Sequence, residues 1–140
     1  MARSYWLVKS EPGAYAWSDL VRERATLWEG VRNAEARNNL AAMARGDAVL
    51  YYHSGDERRI VGVAVVTRRA APDPTADDPR WLAVELAPRE ALARPVPLSE
   101  VKADALLAKT PLVTRSRLSV MPIGESAFRR ILALGGAKGR

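Results

Sequence analysis

Aromatic and hydrogen-bonding side chains are interleaved in the first 53 residues of this sequence. Seven of the chain's nine aromatic residues lie there: Tyr5, Trp6, Tyr15, Trp17, Trp28, Tyr51 and Tyr52. Among them stand groups that can hydrogen-bond a planar polar ligand: Lys9, Ser10, Glu11, Arg32, Asn33, Asn38, Asn39, His53 and Ser54. Aromatic faces stack on nucleobases, while amides, carboxylates and hydroxyls read base edges. The pattern therefore indicates a site for a flat heterocycle such as a nucleobase.

Packing is the alternative role for at least half of these aromatic residues. Neighbouring residues of a strand point to opposite faces, so Tyr5 and Trp6 cannot line one pocket together, and neither can Tyr51 and Tyr52. His53 can equally be a hydrogen-bonded residue at the end of a strand. The clustering alone thus favours a ligand site without proving one.

Three of the polar residues also have ordinary structural explanations. Asn33 can be a helix N-cap, a role worth about 1 kcal/mol. Arg32 can pair with Glu29 or Glu35, and Glu11 can be an ordinary turn residue. For Asn33, capping and ligand contact can coexist.

The net charge indicates a polyanionic partner. The chain has 22 Lys and Arg against 16 Asp and Glu, a formal net charge of +6. From residue 109 onward, Glu125 is the only acid against seven basic residues: Lys109, Arg115, Arg117, Arg129, Arg130, Lys138 and Arg140. Such a surplus favours nucleic acid, because each neutralised phosphate releases counterions. The alternative is that frequent Arg and Ala reflect a GC-rich genome.

Several classes of protein are excluded or disfavoured by composition. The chain has no cysteine and one histidine, so disulfides, thiol catalysis and the usual zinc sites cannot be built. A hydrolytic set would need His53, Ser54 and Asp56, whose near-adjacency is unsuited because catalytic partners normally converge from separate elements. We expect no metal, no cofactor and no membrane span. We expect a cytoplasmic monomer with one domain over residues 1–140 and a polar tail from about residue 136.

The elements that must position these groups are short. Strands are predicted at residues 5–9, 26–29, 47–53, 60–67 and 81–86, with extended segments at 112–113 and 118–120. Helices are predicted at residues 18–23, behind an Asn33 N-cap, from Ser99 to Leu107, and from Gly124 to a Gly135–Gly136 stop. Residues 54–56 form the turn of a hairpin between the third and fourth strands. This order indicates an α+β fold, a small barrel decorated with helices.

Blocks along nearly the whole chain resemble the signature of the EVE domain family. They are residues 5–12 with 15–20, 28–33 with 38–40, 46–54, 72–74 and 115–122, in the family's order. Only Tyr51 stands where Phe is common. The resemblance implies a PUA-like mixed β-barrel, as in PUA, ASCH and YTH domains. It also implies nucleic-acid binding without catalysis, by accepting a flipped modified base such as 5-methylcytosine.

With this resemblance, the sequence yields a candidate base pocket. Its predicted members are Lys9, Ser10, Glu11, Trp17, Trp28, Val31, Arg32, Asn33, Tyr52, His53, Ser54, Leu118 and Ser119, with Arg115 and Arg117 on phosphates. Trp17 and Trp28 are the stacking candidates, with Tyr52 as a third wall.

The other members are assigned to base edge, methyl group or backbone. Ser10, Glu11 and Asn33 suit the Watson–Crick edge, where a carboxylate accepts from the cytosine amino group. An apolar notch for a methyl group is assigned to Val31 and Leu118. Phosphate contacts are assigned to four cationic side chains, Lys9, Arg32, Arg115 and Arg117.

Two alternatives remain at this point. PUA-like relatives favour RNA, so the basic surface could bind RNA without base flipping. A protein-interaction module is the other alternative, although no exposed apolar helix face is evident.

Overall fold

The computed structural model describes residues 3–138, and a six-stranded sheet lies at its centre. The strands are β1 (Tyr5–Ser10), β2 (Thr26–Trp28), β3 (Ala48–His53), β4 (Arg59–Pro72), β5 (Leu82–Pro97) and β6 (Val120–Ile123). The helices are α1 (Trp17–Glu23), α2 (Ala34–Ala42), α3 (Leu98–Ala103), α4 (Pro111–Thr114) and α5 (Glu125–Gly135), with a 3-10 turn at Leu107–Lys109. The expected α+β class is confirmed. Met1, Ala2, Gly139 and Arg140 lie outside the described residues.

The sheet is bent by its two longest strands. The strand order is β2-β5-β4-β3-β1-β6. Only β1 and β3 run parallel among the neighbouring pairs of the described residues. The β4–β5 ladder, between strands of 14 and 16 residues, shifts register at four places. Extra residues bend a strand and increase its twist, so this ladder curves the sheet in the way that a barrel-like fold requires.

The strands nearest the centre form where the sequence is continuously apolar. All six residues of β3 are buried, and Ile60–Val66 of β4 is buried except for the half-buried Val65. The predicted hairpin between these strands is confirmed by their antiparallel pairing. Strands buried on both faces read as near-continuous apolar runs, which explains why this part of the fold was predictable.

Two helix ends follow the expected capping chemistry. The Asn33 side-chain oxygen accepts a hydrogen bond from the Ala36 amide at 2.9 Å, which starts α2. The last helix ends at Gly136, whose φ of +68° lies in the left-handed region that glycine tolerates. Both ends were predicted from residue type and spacing.

Two predictions in the second half of the chain were wrong, and one strand was predicted too short. The predicted cap Ser99 lies inside α3, whose N-cap is Pro97. Residues 112–113 are helical rather than extended, because Pro111 takes the first position of α4, where its fixed φ is favourable. The strand predicted at 81–86 continues to Pro97. Prolines are not typical of strand interiors, so the later part of this strand was not predicted. Pro88 is tolerated because it lies at a register shift, opposite Ala64.

Trp6 belongs to the core, and Asp47 satisfies its polar atom. Trp6 is 7% exposed and its indole Nε1 donates to Asp47 at 3.0 Å. The same buried carboxylate accepts from the backbone amides of Ser4 and Ala44. A buried indole N–H needs such a partner, so this tryptophan is accounted for by packing.

The start of α1 packs directly against the centre of β4. A Cβ placed on Gly62 would lie 2.6 Å from Cζ2 of Trp17. We therefore expect Gly62→Ala to lower the free energy of unfolding by about 1–3 kcal/mol through overpacking, measured by urea denaturation. Gly13→Ala is the control, because nothing lies within 4 Å of its added Cβ and its φ is not positive.

A double variant distinguishes this contact from a general strand effect. If Trp17 is the obstacle, Gly62→Ala should cost little once Trp17→Ala has removed the ring. Strictly additive losses would show that the ring contact is not the cause.

Candidate nucleic-acid interface

A cavity of about 460 Å³ lies beside β2. Six of its lining residues were predicted: Lys9, Ser10, Trp28, Val31, Arg32 and Ser119. Five others were not: Tyr15, Thr26, Leu27, Glu29 and Gly30. The volume falls in the range of sites that hold small planar ligands. We call this depression the Trp28 cavity.

Local geometry brings Trp28 to the wall of this cavity. Helix α1 ends at Arg24, whose left-handed φ of +71° turns the chain into β2. There Trp28 pairs with Val84 of β5. Its ring centroid lies 6.3 Å from that of Tyr15 and 5.5 Å from that of Tyr51, both edge-on. Edge-to-face neighbours fix the ring orientation, so one aromatic wall is held in place.

Ser10 and Tyr51 converge on one backbone carbonyl behind this wall. The Ser10 hydroxyl and the Tyr51 hydroxyl each donate to the Tyr15 carbonyl at 2.8 Å. Burial raises the pKa of Tyr51 far above its ordinary value, so its hydroxyl remains a donor. With its proton engaged, Ser10 keeps lone pairs that can accept from a ligand.

Asp73 organises the opposite rim of the cavity. Its carboxylate is fully buried and accepts from the Gly30 amide at 2.8 Å and from Arg32 Nη1 at 3.0 Å. It also accepts from the Thr75 amide and hydroxyl at 2.7 and 2.6 Å. Burial alone would raise the pKa of Asp73, but these hydrogen bonds outweigh it and hold the pKa well below its usual range. The pairing of Arg32 with Glu29 or Glu35 considered above is therefore replaced by Asp73.

Lys9 connects the cavity to the segment that precedes β6. Its Nζ donates to the Ser116 carbonyl at 2.9 Å, and its backbone amide donates to the Ser119 carbonyl at 3.0 Å. The ammonium lies 5.7 Å from the centroid of Tyr52. Partial burial lowers the pKa of Lys9. Tyr52 itself is only 3% exposed and so lies beneath Lys9 rather than forming a wall of the cavity.

A second depression of about 270 Å³ adjoins the first. It is lined by Asn33, Glu35, Arg115, Ser116, Arg117 and Leu118. The two depressions are neighbours, because Arg32 precedes Asn33, Leu118 precedes Ser119, and Lys9 of the first donates to the Ser116 carbonyl of the second. Four of the predicted residues therefore lie beside the Trp28 cavity and not in it: Asn33, Arg115, Arg117 and Leu118. We call this the arginine depression.

Glu11 and Ser54 lie together but away from Trp28. In the parallel pairing of β1 with β3, Ser10 is opposite His53. The residues that follow these strands therefore leave the sheet at the same edge, and both line a separate depression of about 350 Å³. The prediction that they share one cavity with Trp28 is corrected by this register, which composition and spacing do not reveal.

Trp17 and His53 are engaged with the protein itself. Trp17 packs on Gly62 and lies 5.5 Å from the Tyr51 ring. His53 is 7% exposed; its Nε2 accepts from the Trp17 amide at 3.0 Å and its Nδ1 lies 2.8 Å from Glu57. A neutral ring with the proton on Nδ1 satisfies both partners. Neither residue lines the Trp28 cavity, so their predicted places in the pocket are also corrected.

Sequence signals for the unpredicted lining residues were available. Tyr15 lies in the first resembling block, and Glu29 and Gly30 lie in the second. Glu29 directly follows Trp28, at the end of β2. The choice between Glu11 and Glu29 depends on strand ends, which patterns locate only to within a few residues.

Two structural absences hold for residues 3–138. That part of the chain contains no group of three or more acidic or histidine side chains placed to hold a metal ion. Its helices are also all too short or too polar to cross a membrane.

The sequence model of the EVE domain matches residues 4–134. Human thymocyte nuclear protein 1 is 32% identical over 94% of this chain and 73% of its own length.

Solved structures give the same result for the fold. A crystal structure from Agrobacterium tumefaciens superposes with a TM-score of 0.93 at 39% identity, covering 96% of this chain and 94% of that one. Human thymocyte nuclear protein 1 in complex with DNA containing 5-methylcytosine gives 0.87 at 31% identity, covering 96% and 99%. An ASCH protein of Zymomonas mobilis shares the fold alone, with 0.62 at 10% identity. The predicted PUA-like fold is confirmed.

Proposed function

This chain belongs to the EVE domain family, and from that premise we propose that its Trp28 cavity accepts one base of a nucleic acid. The preferred base is 5-methylcytosine or a close relative, because a family member 31% identical to this chain is known in complex with DNA that contains it. The role is binding rather than catalysis.

The observation that carries the proposal is the aromatic wall at a cavity with a cationic rim. Trp28 is half-buried, so one part of the indole packs on Tyr15 and Tyr51 while another part faces the cavity. Taking a base out of its stack costs a few kcal/mol. Stacking on an aromatic side chain returns about 1–3 kcal/mol per base, which offsets much of this cost. Lys9 and Arg32 lie where they can meet flanking phosphates.

Glu29 takes the role first considered for Glu11. Glu29 lines the cavity, and no residue within 3–138 forms a side-chain hydrogen bond or ion pair with its carboxylate. A free carboxylate accepts from an exocyclic amino group, such as N4 of cytosine. Ser10 offers a second acceptor, and the buried Val31 offers an apolar surface for a methyl group. Thymine and uracil lack the amino group, so the proposal also predicts selection against them.

The contacts of His53 support a non-catalytic role. Both ring nitrogens are already used, one by the Trp17 amide and one beside Glu57. The hydrolytic set of His53, Ser54 and Asp56 would therefore lack a free base.

Binding through the basic surface alone is the less favoured alternative. In the described residues, Arg115 pairs with Glu35, Arg129 with Glu125 and Arg130 with Asp104. A phosphate would therefore have to displace a carboxylate at three of the basic residues near the carboxyl end that suggested it. RNA binding without base flipping would have to meet this cost or use the remaining cations.

The direct test compares oligonucleotides that differ by one methyl group. A buried methyl group is worth about 0.8 kcal/mol, so we expect roughly four-fold tighter binding of 5-methylcytosine than of cytosine in the same sequence. Titration by fluorescence anisotropy should include single-stranded DNA, duplex DNA and RNA at matched salt. Equal, weak and purely salt-dependent binding of all of them would contradict the cavity proposal.

A further inference from the structure

The arginine depression contains a carboxylate at the position where phosphate binding would require an unpaired cation. Arg115 Nη1 donates to Glu35 Oε2 at 2.9 Å, and its second terminal nitrogen contacts Oε1 of the same carboxylate. The two residues are 80 positions apart in the chain. This ion pair therefore joins the first turn of α2 to the segment 115–118.

The carboxylate and a phosphate would compete for the same donors. A guanidinium binds either group through the same pair of parallel N–H bonds, so Arg115 can serve only one of them at a time. The side chains are 54% and 45% exposed. Ion pairs this exposed change an equilibrium constant by less than about five-fold. Replacement of Glu35 by a phosphate as the partner of Arg115 therefore costs little free energy.

The position of this pair connects it to the Trp28 cavity. The two depressions adjoin at Arg32–Asn33 and at Leu118–Ser119. A strand with one base in the cavity that runs its backbone along this boundary has a phosphate fixed near Arg115. A strand that merely slides over the surface has no phosphate fixed there. Arg117 is exposed and has no hydrogen-bond or ion-pair partner within residues 3–138, so it is open to either strand.

We propose that Glu35 competes with the nucleic-acid backbone for Arg115 and so sets the affinity of strands that place a phosphate at this guanidinium. A polyanion that contacts the basic surface without fixing a phosphate at Arg115 leaves the Glu35–Arg115 pair intact. A strand whose base fills the Trp28 cavity displaces Glu35, because its phosphate is already held in place. This inference rests on the proposed function, since it needs a base in the cavity.

The test is Glu35→Gln, which keeps the shape of the side chain and removes its charge. Glu125→Gln is the matched control: it also lies in the first turn of a helix, pairs with Arg129, and lines neither depression. We expect Glu35→Gln to raise affinity for the 5-methylcytosine oligonucleotide about two- to five-fold, the value of the exposed ion pair that binding has to break. The unmodified oligonucleotide, which fills the cavity less well, should gain no more than this.

Two results would overturn the inference. One is an equal rise in Glu35→Gln and Glu125→Gln, which would show only an effect of net charge. The other is a rise that persists when Arg115→Ala is present in both backgrounds, which would show that Glu35 does not act through Arg115.

A parallel titration of Trp28→Ala separates this inference from the proposed function. If Trp28→Ala binds like the unaltered protein, the proposed function fails and the inference fails with it. If Trp28→Ala binds more weakly while Glu35→Gln matches Glu125→Gln, only the role of Glu35 fails.

Discussion

Trp28→Ala is expected to weaken binding of a 5-methylcytosine oligonucleotide by about 5- to 150-fold, because stacking on an aromatic side chain is worth about 1–3 kcal/mol per base. The loss should be similar at low and high salt, since the indole carries no charge. Trp28→Phe should recover part of the affinity by keeping a flat apolar wall. Titration of purified variants by fluorescence anisotropy gives the measurement.

Trp17→Ala is the matched control for this prediction. Both residues are half-buried tryptophans beside Tyr51, but Trp17 packs on Gly62 and does not line the cavity. Trp17→Ala should therefore alter stability and leave affinity nearly unchanged under conditions where the protein is folded. An equal loss of affinity in the two variants would mean that the stacking wall is assigned incorrectly.

Asp73→Asn is expected to lower the free energy of unfolding by about 2–4 kcal/mol. The carboxylate accepts hydrogen bonds from Gly30, Thr75 and Arg32 while fully buried. An amide cannot accept at both positions, so buried donors lose partners, and hydrogen bonds to charged groups are worth about 1.5–3 kcal/mol each. Affinity should fall as well, because Gly30 and Arg32 line the cavity. Urea denaturation and oligonucleotide titration measure the two effects.

The difference in free energy of unfolding between the unaltered protein and Asp73→Asn should decrease at acidic pH. The pKa of Asp73 in the folded protein is held below its ordinary value of 3.8. Below that value the unfolded chain binds the proton first, so the contribution of Asp73 is complete above about pH 4 and shrinks as the pH falls further. The gap between unaltered protein and Asp73→Asn should therefore narrow below pH 4.

Asp78→Asn provides the comparison for Asp73→Asn within the same loop. Asp78 pairs with Arg80 at 2.7 Å, but both side chains are exposed to water. Its replacement should change stability little. If both substitutions cost the same, burial of the Asp73 carboxylate is not what makes it important.

Local signals were sufficient for much of the fold. A continuous β-branched run predicted β4, an apolar and aromatic run predicted β3, and an Asn followed by helical spacing predicted the start of α2. Each depends on residues within one turn or one strand. The EVE resemblance extended these fragments to a fold class, which the superpositions confirm.

The site was less predictable because its geometry depends on contacts between distant residues. Arg32 forms an ion pair with Asp73, 41 positions away, and Arg115 forms one with Glu35, 80 positions away. Because β1 and β3 pair in parallel, Glu11 lies in a separate depression with Ser54, whereas Glu29 lines the Trp28 cavity. No periodicity within a segment encodes such pairings.

The order of strands in the sheet also sets when the cavity can be completed during synthesis. One wall is built from β1 and residue 15, another from residues 26–32, and the last from Ser119. Strand β1 gains its second neighbour only when β6 pairs with it, through Tyr5–Val8. A nascent chain that has not yet released residues 119–123 from the ribosome therefore has an inner strand with an open edge, the feature that invites pairing with another chain. Completion of the cavity and protection of that edge therefore occur together, once residues 119–123 have left the ribosome.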